Sequence, residues 1–487
     1  MLMGDVHPPK GAHVSDRVKL VGLDFGTTTS SAVVALATLR HSATGRVALN
    51  ALEETFRSEM VFTPIMEDDR IDLASIDRLL DEWLDAGHVQ PTTLFGGGAL
   101  LTGLTAQKDN APGLVELIRR RLGQTLVATA DDPGLESWLA FMGSCVALSR
   151  EHPDRWILNF DIGGGTTNLA LGRKGEVAST GCWFIGARHV QVVPGTYKIT
   201  QLSRHARAVF TQLGIAKNPG ESLSESERDR FLDCYLAILV ALCQGSPDLS
   251  HGRHLEQAPF RWPAGVADPI VTFSGGVGEL VYRRLQGEPW PATTHFGDLG
   301  IDLAQRIVAS PRWSSSLHRF RPRSAGRATV YGLLQHTTEV SGSTLFLPTP
   351  GVLPLVDLPI VGRLHAEESD ERIRERLLRA RGSRRGAGIQ VCGVGQDAAK
   401  VRALGQRLAR ILEEIAFPAS QPLVLLVHEN VGKVLGQYVT RWGTLPLSLL
   451  VIDEVRVRDA HYVQIGLPQH HIVPVSFYGL DAGGDFS

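Results

Sequence analysis

The fold is decided by the stretch WILNFDIGGGTTNLAL, which spans Trp156–Leu171. An apolar run leads into Asp161, three glycines follow after Ile162, and the apolar character resumes at Leu169. This pattern predicts a strand, a tight turn and a second strand. Consecutive glycines let the backbone approach a bound group closely and direct several N–H donors at it, which suits a phosphate. An ordinary hairpin with a glycine turn is the alternative.

Two further stretches extend this pattern along the chain. VKLVGLDFGTTTSS, at Val18–Ser31, repeats the order of apolar strand, aspartate, glycine and hydroxyl-rich turn. IVTFSGGVGEL, at Ile270–Leu280, places a strand before paired glycines and the start of a helix. Each glycine turn is weak evidence by itself. Together they predict two lobes of similar construction that face one nucleotide.

In order and content, the three stretches resemble the phosphate-one, phosphate-two and adenosine motifs of the actin-like ATPase superfamily. This resemblance implies an α/β protein with a two-lobed actin-like ATPase (ribonuclease H-like) fold that binds ATP and Mg²⁺. Asp24 and Asp161 are then the predicted metal-binding and catalytic carboxylates. The residues predicted to bind the nucleotide are Gly26, Thr27, Thr28, Gly163, Gly164, Gly165, Thr166, Gly275, Gly276 and Glu279.

Two helices that connect the lobes are also expected from this resemblance. One covers Leu135–Leu148, just before the second phosphate motif, and the other covers Arg327–Gln335 with Gly332 at a close crossing. Glu136, at the start of the first helix, is the third predicted catalytic residue, because it is placed to orient an attacking water. The alternative is an exposed first-turn glutamate that interacts favourably with the helix dipole.

Composition sets limits on the class of protein. The chain has 487 residues, 43% of them hydrophobic and 21% charged, as in globular proteins with about three domains. A formal net charge of −2 gives no reason to expect a nucleic acid or a membrane as a partner. Five cysteines without metal-ligand spacing fit reduced thiols. We therefore expect a cytoplasmic protein.

Motif spacing also predicts how the chain is divided. Strands and helices alternate over residues 388–452, which predicts a parallel α/β unit. The charged run Glu367–Arg385 before it suggests a solvated, partly helical linker. The glycines Gly96, Gly97, Gly98 and Gly103 are expected in a loop at the site or in a structural turn. The predicted parts are a loose N-terminal tail (1–17), a first actin-like lobe (18–155), a second lobe with a connecting helix (156–337) and a C-terminal α/β region (338–487).

Several longer segments resemble a more specific family, the ethanolamine ammonia-lyase reactivating factors. The matching segments follow the order of that family from Lys19 to Phe477, and VGKVLGQ and YVQIGLP are the family-specific ones. The segments include TGLTAQKDNAPGLVELI (102–118), LVATADDPGLESWLA (126–140), SGSTLFL (341–347), HENVGKVLGQ (428–437) and YVQIGLP (462–468).

This resemblance implies a chaperone-like function with weak ATPase activity. Such a factor uses ATP and Mg²⁺ to loosen the adenosylcobalamin-dependent lyase, release damaged cobalamin and admit fresh adenosylcobalamin. It also implies a role in ethanolamine utilization, in the cytoplasm or in association with a bacterial microcompartment. Two departures affect the site: Leu104 stands where the family usually has glutamate, and FMGSCVA (141–147) replaces a Gly/Ala-rich run. Leu104 cannot bind a cation or accept a proton, so the ATPase activity is expected to be altered if that glutamate contributes.

Other functions fit the same fold, because fold does not assign function. A small-molecule kinase would need a general-base aspartate and a substrate pocket, for which the sequence contains no independent signal. A filament protein would need self-complementary lobe surfaces. A nucleotide-binding scaffold without turnover is the alternative that Leu104 most favours. Whether the chain forms a homo-oligomer is left open.

Overall fold

A computed structural model describes most of the chain. The described residues are 17–41, 47–66, 70–123, 127–130, 133–244, 252–336, 338–340, 345–383, 385–468 and 472–480. Of the predicted N-terminal tail, only Arg17 belongs to these ranges. None of the helices within them is both long enough and apolar enough to cross a membrane.

The first lobe is a mixed sheet covered by helices. Its elements are β1 (Arg17–Phe25), β2 (Thr29–His41), β3 (Val47–Arg57), β4 (Val61–Phe62), α1 (Leu73–Ala86), β5 (Leu94–Leu101), α2 (Gly103–Ala106), α3 (Ala111–Leu122) and β6 (Val127–Ala130). The strand order is β3-β2-β1-β5-β6, with β4 beside β2. β1 to β3 form an antiparallel meander, whereas β5 and β6 run parallel to β1. The carboxyl ends of β1 and β5 therefore meet at one edge of the sheet.

The expected loop or turn at Gly96–Gly98 is wrong, because these glycines lie inside the buried strand β5. A Cβ added at Gly97 would lie 1.9 Å from the carbonyl oxygen of Val21 in β1. One added at Gly98 would lie 2.4 Å from the Leu333 side chain. The glycines therefore serve close packing on both faces of the strand.

The second lobe repeats the meander. Its elements, with the helices that connect the lobes, are α4 (Pro133–Ser144), α5 (Val146–Glu151), β7 (Ile157–Ile162), β8 (Thr167–Arg173), β9 (Glu176–Trp183), β10 (Val190–Val192), β11 (Ile199–Leu202), α6 (Arg204–Leu213), α7 (Glu225–Leu242), β12 (Glu256–Ala258), β13 (Ile270–Ser274), α8 (Gly275–Leu285), α9 (Gly300–Ala309), α10 (Ser314–Arg319) and α11 (Ala328–His336). The sheet order is β12-β9-β8-β7-β13, with β13 parallel to β7. As in the first lobe, the central strand β7 is antiparallel to its hairpin partner β8.

The helices α4 and α11 cross where the lobes meet. A Cβ added at Gly332 would lie 2.0 Å from the carbonyl oxygen of Leu139, and one at Gly143 would lie 1.9 Å from that of Ala328. Each helix thus needs a glycine to let the other backbone approach, and the expected close crossing at Gly332 is confirmed. The first predicted helix is divided at Cys145 into α4 and α5.

The remaining residues form a third sheet. Its elements are β14 (Thr338–Val340), β15 (Leu355–His365), α12 (Asp370–Gly382), β16 (Ala387–Cys392), α13 (Ala398–Glu414), β17 (Leu423–Val427), α14 (Gly432–Val439), β18 (Leu449–Ile452), β19 (Ala460–Ile465) and β20 (Pro474–Leu480). The order is β14-β20-β19-β15-β16-β17-β18, and β15 to β18 are parallel as predicted for residues 388–452.

The segment Glu367–Arg385 is partly helical as expected, since it contains α12, but the expected solvated linker is wrong, because α12 packs on the third sheet. Ile373, Leu377 and Ala380 on one face of this helix are fully buried in the same core as β16 and α13. Because charged residues dominate the segment, the apolar stripe on one face of the helix was not recognised from the sequence. The chain therefore has two lobes with matching central sheets, as the resemblance to the actin-like ATPase fold predicts, and an additional C-terminal α/β region, while the domain boundaries at 155 and 337 stay a prediction.

Candidate functional site

A cavity between the lobes collects every residue predicted for the site. It lies where the β1–β2 turn, the β7–β8 turn and the N-terminus of α8 converge. The predicted residues in its lining are Asp24, Gly26, Thr27, Thr28, Glu136, Asp161, Gly163, Gly164, Gly165, Thr166, Gly275, Gly276 and Glu279.

The two hairpin turns share one pattern, Asp-x-Gly-x-x-Thr, which begins at Asp24 in the first lobe and at Asp161 in the second. In the first, the Gly26 N–H donates to the carbonyl of Thr29 at 3.0 Å. In the second, the Gly163 N–H donates to the carbonyl of Thr166 at 2.9 Å. Equal spacing and equal hydrogen bonding give the lobes equivalent loops, which we call loop one (Gly26–Thr29) and loop two (Gly163–Thr166).

The two loops contact each other across the cavity. A Cβ added at Gly164 would lie 2.2 Å from the hydroxyl oxygen of Thr28 and 3.2 Å from the Cβ of Thr27. Only glycine permits this approach. The Thr28 hydroxyl oxygen is buried and has no hydrogen-bond partner among the described residues. It is therefore a donor and acceptor available to a ligand at the contact between the lobes.

Loop one is held from behind by two threonines of its own lobe. The hydroxyls of Thr63 and Thr105 donate to the carbonyl of Gly26 at 2.6 and 2.9 Å. The N–H of Thr63 also donates to the carbonyl of Thr28 at 3.0 Å. Because these carbonyls accept hydrogen bonds from the same lobe, the conformation of loop one is restrained.

Asp161 and Asp24 lie at the ends of the two central strands. Asp161 is only 6% exposed and accepts a hydrogen bond of 2.5 Å from the hydroxyl of Ser274, the last residue of β13. Asp24 accepts long hydrogen bonds from Thr102 at 3.5 Å and from Thr329 at 3.3 Å. Each carboxylate is thus oriented by hydroxyls from neighbouring elements.

The environment of these carboxylates disfavours their charged forms. Burial, with repulsion from Asp161 as a second cause, raises the pKa of Asp24 to about 7. Burial raises the pKa of Asp161 to about 6, although the Ser274 hydrogen bond acts in the opposite direction. A divalent cation between them would remove this penalty. No group of three or more His, Cys, Asp or Glu side chains suited to a metal occurs in the part of the chain that the structure describes, so phosphate and water oxygens would complete the coordination.

The third wall of the cavity is the N-terminal half of α8. Gly275 has a φ of +75°, and a Cβ there would lie 2.5 Å from the carbonyl oxygen of Ile162, so this position requires glycine. A Cβ at Gly276 would meet open space. Gly276, Glu279 and Arg283 follow a helical spacing on the face of α8 that lines the cavity.

Glu136 lines the cavity, and so does Gly103, the residue before Leu104. Glu136 is a half-buried residue of the first turn of α4 that lines the cavity, so it is not the fully exposed residue of the alternative interpretation. Its role in orienting water stays a prediction. The side chain of Leu104 lies outside what the structure describes. Its neighbour Gly103 lines the cavity and approaches the Thr27 hydroxyl, which places position 104 next to loop one.

Sequence reasoning missed several polar residues that line the cavity, among them Thr102, Thr329 and Asp298. Thr102 directly follows β5, which runs parallel to β1, and a polar residue just after a buried strand is the signal that could have indicated it. Thr329 lies 305 residues from Asp24 along the chain, so no local pattern indicates it. Asp298 is 3% exposed and accepts from the Gly300 N–H at 2.9 Å, and burial raises its pKa to about 6.

Known proteins similar to this chain were found by sequence and by structure. A family model described as "Ethanolamine utilisation protein EutA" matches residues 16–480. The chain is 30% identical over 479 residues to ethanolamine ammonia-lyase reactivase EutA of Escherichia coli (strain K12), covering 94% of this chain and 97% of that protein. It is 29% identical over 480 residues to the protein of that name from Salmonella typhimurium (strain LT2), with coverage of 94% and 97%. A solved Aquifex aeolicus PPX-GPPA enzyme is 14% identical over 57% of this chain and 75% of its own, with a TM-score of 0.35.

Proposed function

We propose that this chain, which belongs to the ethanolamine utilisation protein EutA family, is an ATP-dependent reactivating factor for ethanolamine ammonia-lyase. Its task would be to release damaged cobalamin from the lyase so that adenosylcobalamin can bind again. Family membership and the names of the relatives support the choice of lyase. The observation that carries the nucleotide part is the convergence of two matching Asp-x-Gly-x-x-Thr loops on one cavity.

The residues present fit ATP with Mg²⁺. The N–H groups of loops one and two and the unpaired Thr28 hydroxyl would bind phosphate oxygens. Asp24 and Asp161 would hold the cation, whose charge would offset the burial and the repulsion that together raise the pKa of Asp24. Gly275, Gly276 and Glu279 would contact the nucleoside. When bound, the cation would neutralise charge that develops on the phosphates.

The protein groups around these carboxylates would set the chemistry of hydrolysis. Ser274 orients Asp161 through its short hydrogen bond, and Thr102 and Thr329 orient Asp24. Glu136 would orient the attacking water from the first turn of α4. Since the charged forms of both aspartates are costly without a cation, we expect nucleotide binding to depend on Mg²⁺ and on pH.

A ligand held by both lobes can act on a partner only if it favours one lobe arrangement over another. The lobes touch at the contact between Gly164 and Thr28 and at a buried hydrogen bond of 2.6 Å from the Arg327 guanidinium to the carbonyl of Ser58. Arg327 directly precedes α11, and Ser58 directly follows β3. A change at the loops would therefore be transmitted to the crossing helices.

The test uses ethanolamine ammonia-lyase inactivated with cyanocobalamin. We expect lyase activity to return when this protein, ATP, Mg²⁺ and adenosylcobalamin are added together. It should not return without ATP or with an Asp161→Ala variant, whereas Asp154→Ala, at an exposed surface position, should behave like the wild type. Recovery without nucleotide would refute the ATP-dependent mechanism and leave the partner in place. No recovery of lyase activity despite tight ATP binding would refute the lyase as the partner of the wild-type chain. The Leu104→Glu variant would then test whether the glutamate usual in the family restores reactivation.

A further inference from the structure

We propose that His189 is a positioning residue that orients loop two through a hydrogen bond to the carbonyl of Gly165. The consequence for phosphate binding rests on the nucleotide site proposed above, whereas the anchoring of the loop does not. His189 lies outside the sequence motifs, and its side chain is fully buried behind the cavity rather than in its lining.

Three consecutive residues behind loop two bind its three consecutive glycine carbonyls. The pairs are the Ala187 N–H with Gly163 at 3.0 Å, the Arg188 N–H with Gly164 at 2.7 Å and the His189 Nε2 with Gly165 at 2.7 Å. The first two bonds use the backbone and are independent of side-chain identity. The third alone depends on which amino acid occupies the position, so a substitution can remove it selectively.

The direction of these bonds determines what loop two offers to a ligand. With the three glycine carbonyls turned toward residues 187–189, the N–H groups of Gly164, Gly165 and Thr166 have no protein acceptor among the described residues. All three residues line the cavity. If the third bond were lost, the peptide after Gly165 would lose the side-chain hydrogen bond that fixes its orientation. Its N–H, which belongs to Thr166, would then be less well directed at an anion in the cavity.

The hydrogen bonds of the imidazole define one tautomer. A carbonyl only accepts, so Nε2 carries the proton toward Gly165, and Nδ1 accepts from the Ser203 hydroxyl at 2.7 Å. The Ser203 oxygen in turn accepts from the Ala206 N–H at 3.0 Å and so caps α6. Burial lowers the pKa of His189 to about 3, which keeps the ring neutral, as this arrangement requires. The N-terminus of α6 is thereby linked to loop two through the side chains of Ser203 and His189.

The test compares two amides that each replace half of the imidazole. His189→Gln keeps a donor near the position of Nε2, whereas His189→Asn reaches only as far as Nδ1 and cannot contact Gly165. The control is His205→Asn, because the His205 ring lies 5.5 Å from that of His189 but contacts Phe184 and Arg204 instead of the loop. Ser203→Gly, which preserves most of the cap, removes the donor to Nδ1 without changing the core.

The first readout is affinity by calorimetry for ATP and, separately, for adenosine. We expect His189→Asn to lose about tenfold in ATP affinity, as for one hydrogen bond, and to bind adenosine within about twofold of wild type. His189→Gln should recover most of the ATP affinity, and Ser203→Gly should lose about threefold. Equal losses for ATP and adenosine, or equal losses in the Gln and Asn variants, would overturn the proposal in favour of a general packing role.

The second readout needs no nucleotide. Hydrogen exchange of the segment 160–170, followed by mass spectrometry, should become faster in His189→Asn and stay near the wild-type rate in His189→Gln and His205→Asn. Unchanged exchange in His189→Asn would overturn the anchoring role. If the wild type binds no nucleotide, the proposed function fails, and this exchange measurement still decides whether His189 holds the loop.

Discussion

Replacing Asp24 by asparagine should stabilise the ligand-free protein while disabling its site. The pKa of this carboxyl is raised from 3.8 to about 7 by burial and by repulsion from Asp161. Below pH 4 the carboxyl is protonated in both the folded and the unfolded chain. Between pH 4 and 7 the folded chain binds more protons than the unfolded one, so the free energy of unfolding falls as pH rises. Above pH 7 the penalty is complete, and this change in pKa corresponds to about 4 kcal/mol.

Asparagine keeps the shape of the side chain and removes the charge, so Asp24→Asn should gain up to about 4 kcal/mol at pH 8 and almost nothing at pH 4. Urea unfolding at the two pH values, followed by tryptophan fluorescence, measures the difference. Mg²⁺ with ATP should stabilise the wild type at pH 8 but not the variant. Asp154→Asn, which removes an exposed charge, is the control and should change stability by less than about 0.5 kcal/mol. A variant no more stable than wild type at pH 8, or a gain of equal size at both pH values, would refute the reasoning.

Further substitutions test the two carboxylates together, the start of α8 and the crossing of α4 with α11. Asp161→Ala should reduce ATP turnover at least about a hundredfold with an unchanged circular dichroism spectrum, and adding Asp24→Ala should cost little more, because the two residues act as a unit. Gly276→Val should weaken ATP binding in calorimetry without loss of fold, because the valine side chain would enter the cavity. Gly275→Val should also lower the melting temperature, because φ is +75° at this position. Gly332→Ala should destabilise the protein by about 1–3 kcal/mol in urea unfolding, since its Cβ would lie 2.0 Å from a carbonyl oxygen of α4; an unchanged midpoint would show that the helices separate without cost.

The errors made from the sequence have a common physical cause. Gly96–Gly98 resemble a loop because glycine usually marks one, but here small residues allow β5 to lie between β1 and α11. The segment Glu367–Arg385 resembles a solvated linker because charge dominates its composition, yet α12 buries Ile373 and Leu377. In both cases packing against distant parts of the chain overrode local composition.

The sequence by itself determined the elements whose cause is local. The strand–turn–strand pattern at Asp24 and Asp161 follows from apolar alternation interrupted by glycines, and both hairpins form as predicted. Membership of the family was also readable, because its segments lie in order along the chain.

Only the tertiary structure decided how these elements act together. It brought loop one and loop two into contact at Thr28, placed Thr329 against Asp24, and set His189 behind Gly165. It also raised the pKa of both aspartates, because burial and the approach of two like charges exist only in the folded chain. A sequence pattern records which residues follow one another, whereas hydrogen bonding, desolvation and Coulomb repulsion depend on distances between residues that lie tens or hundreds of positions apart.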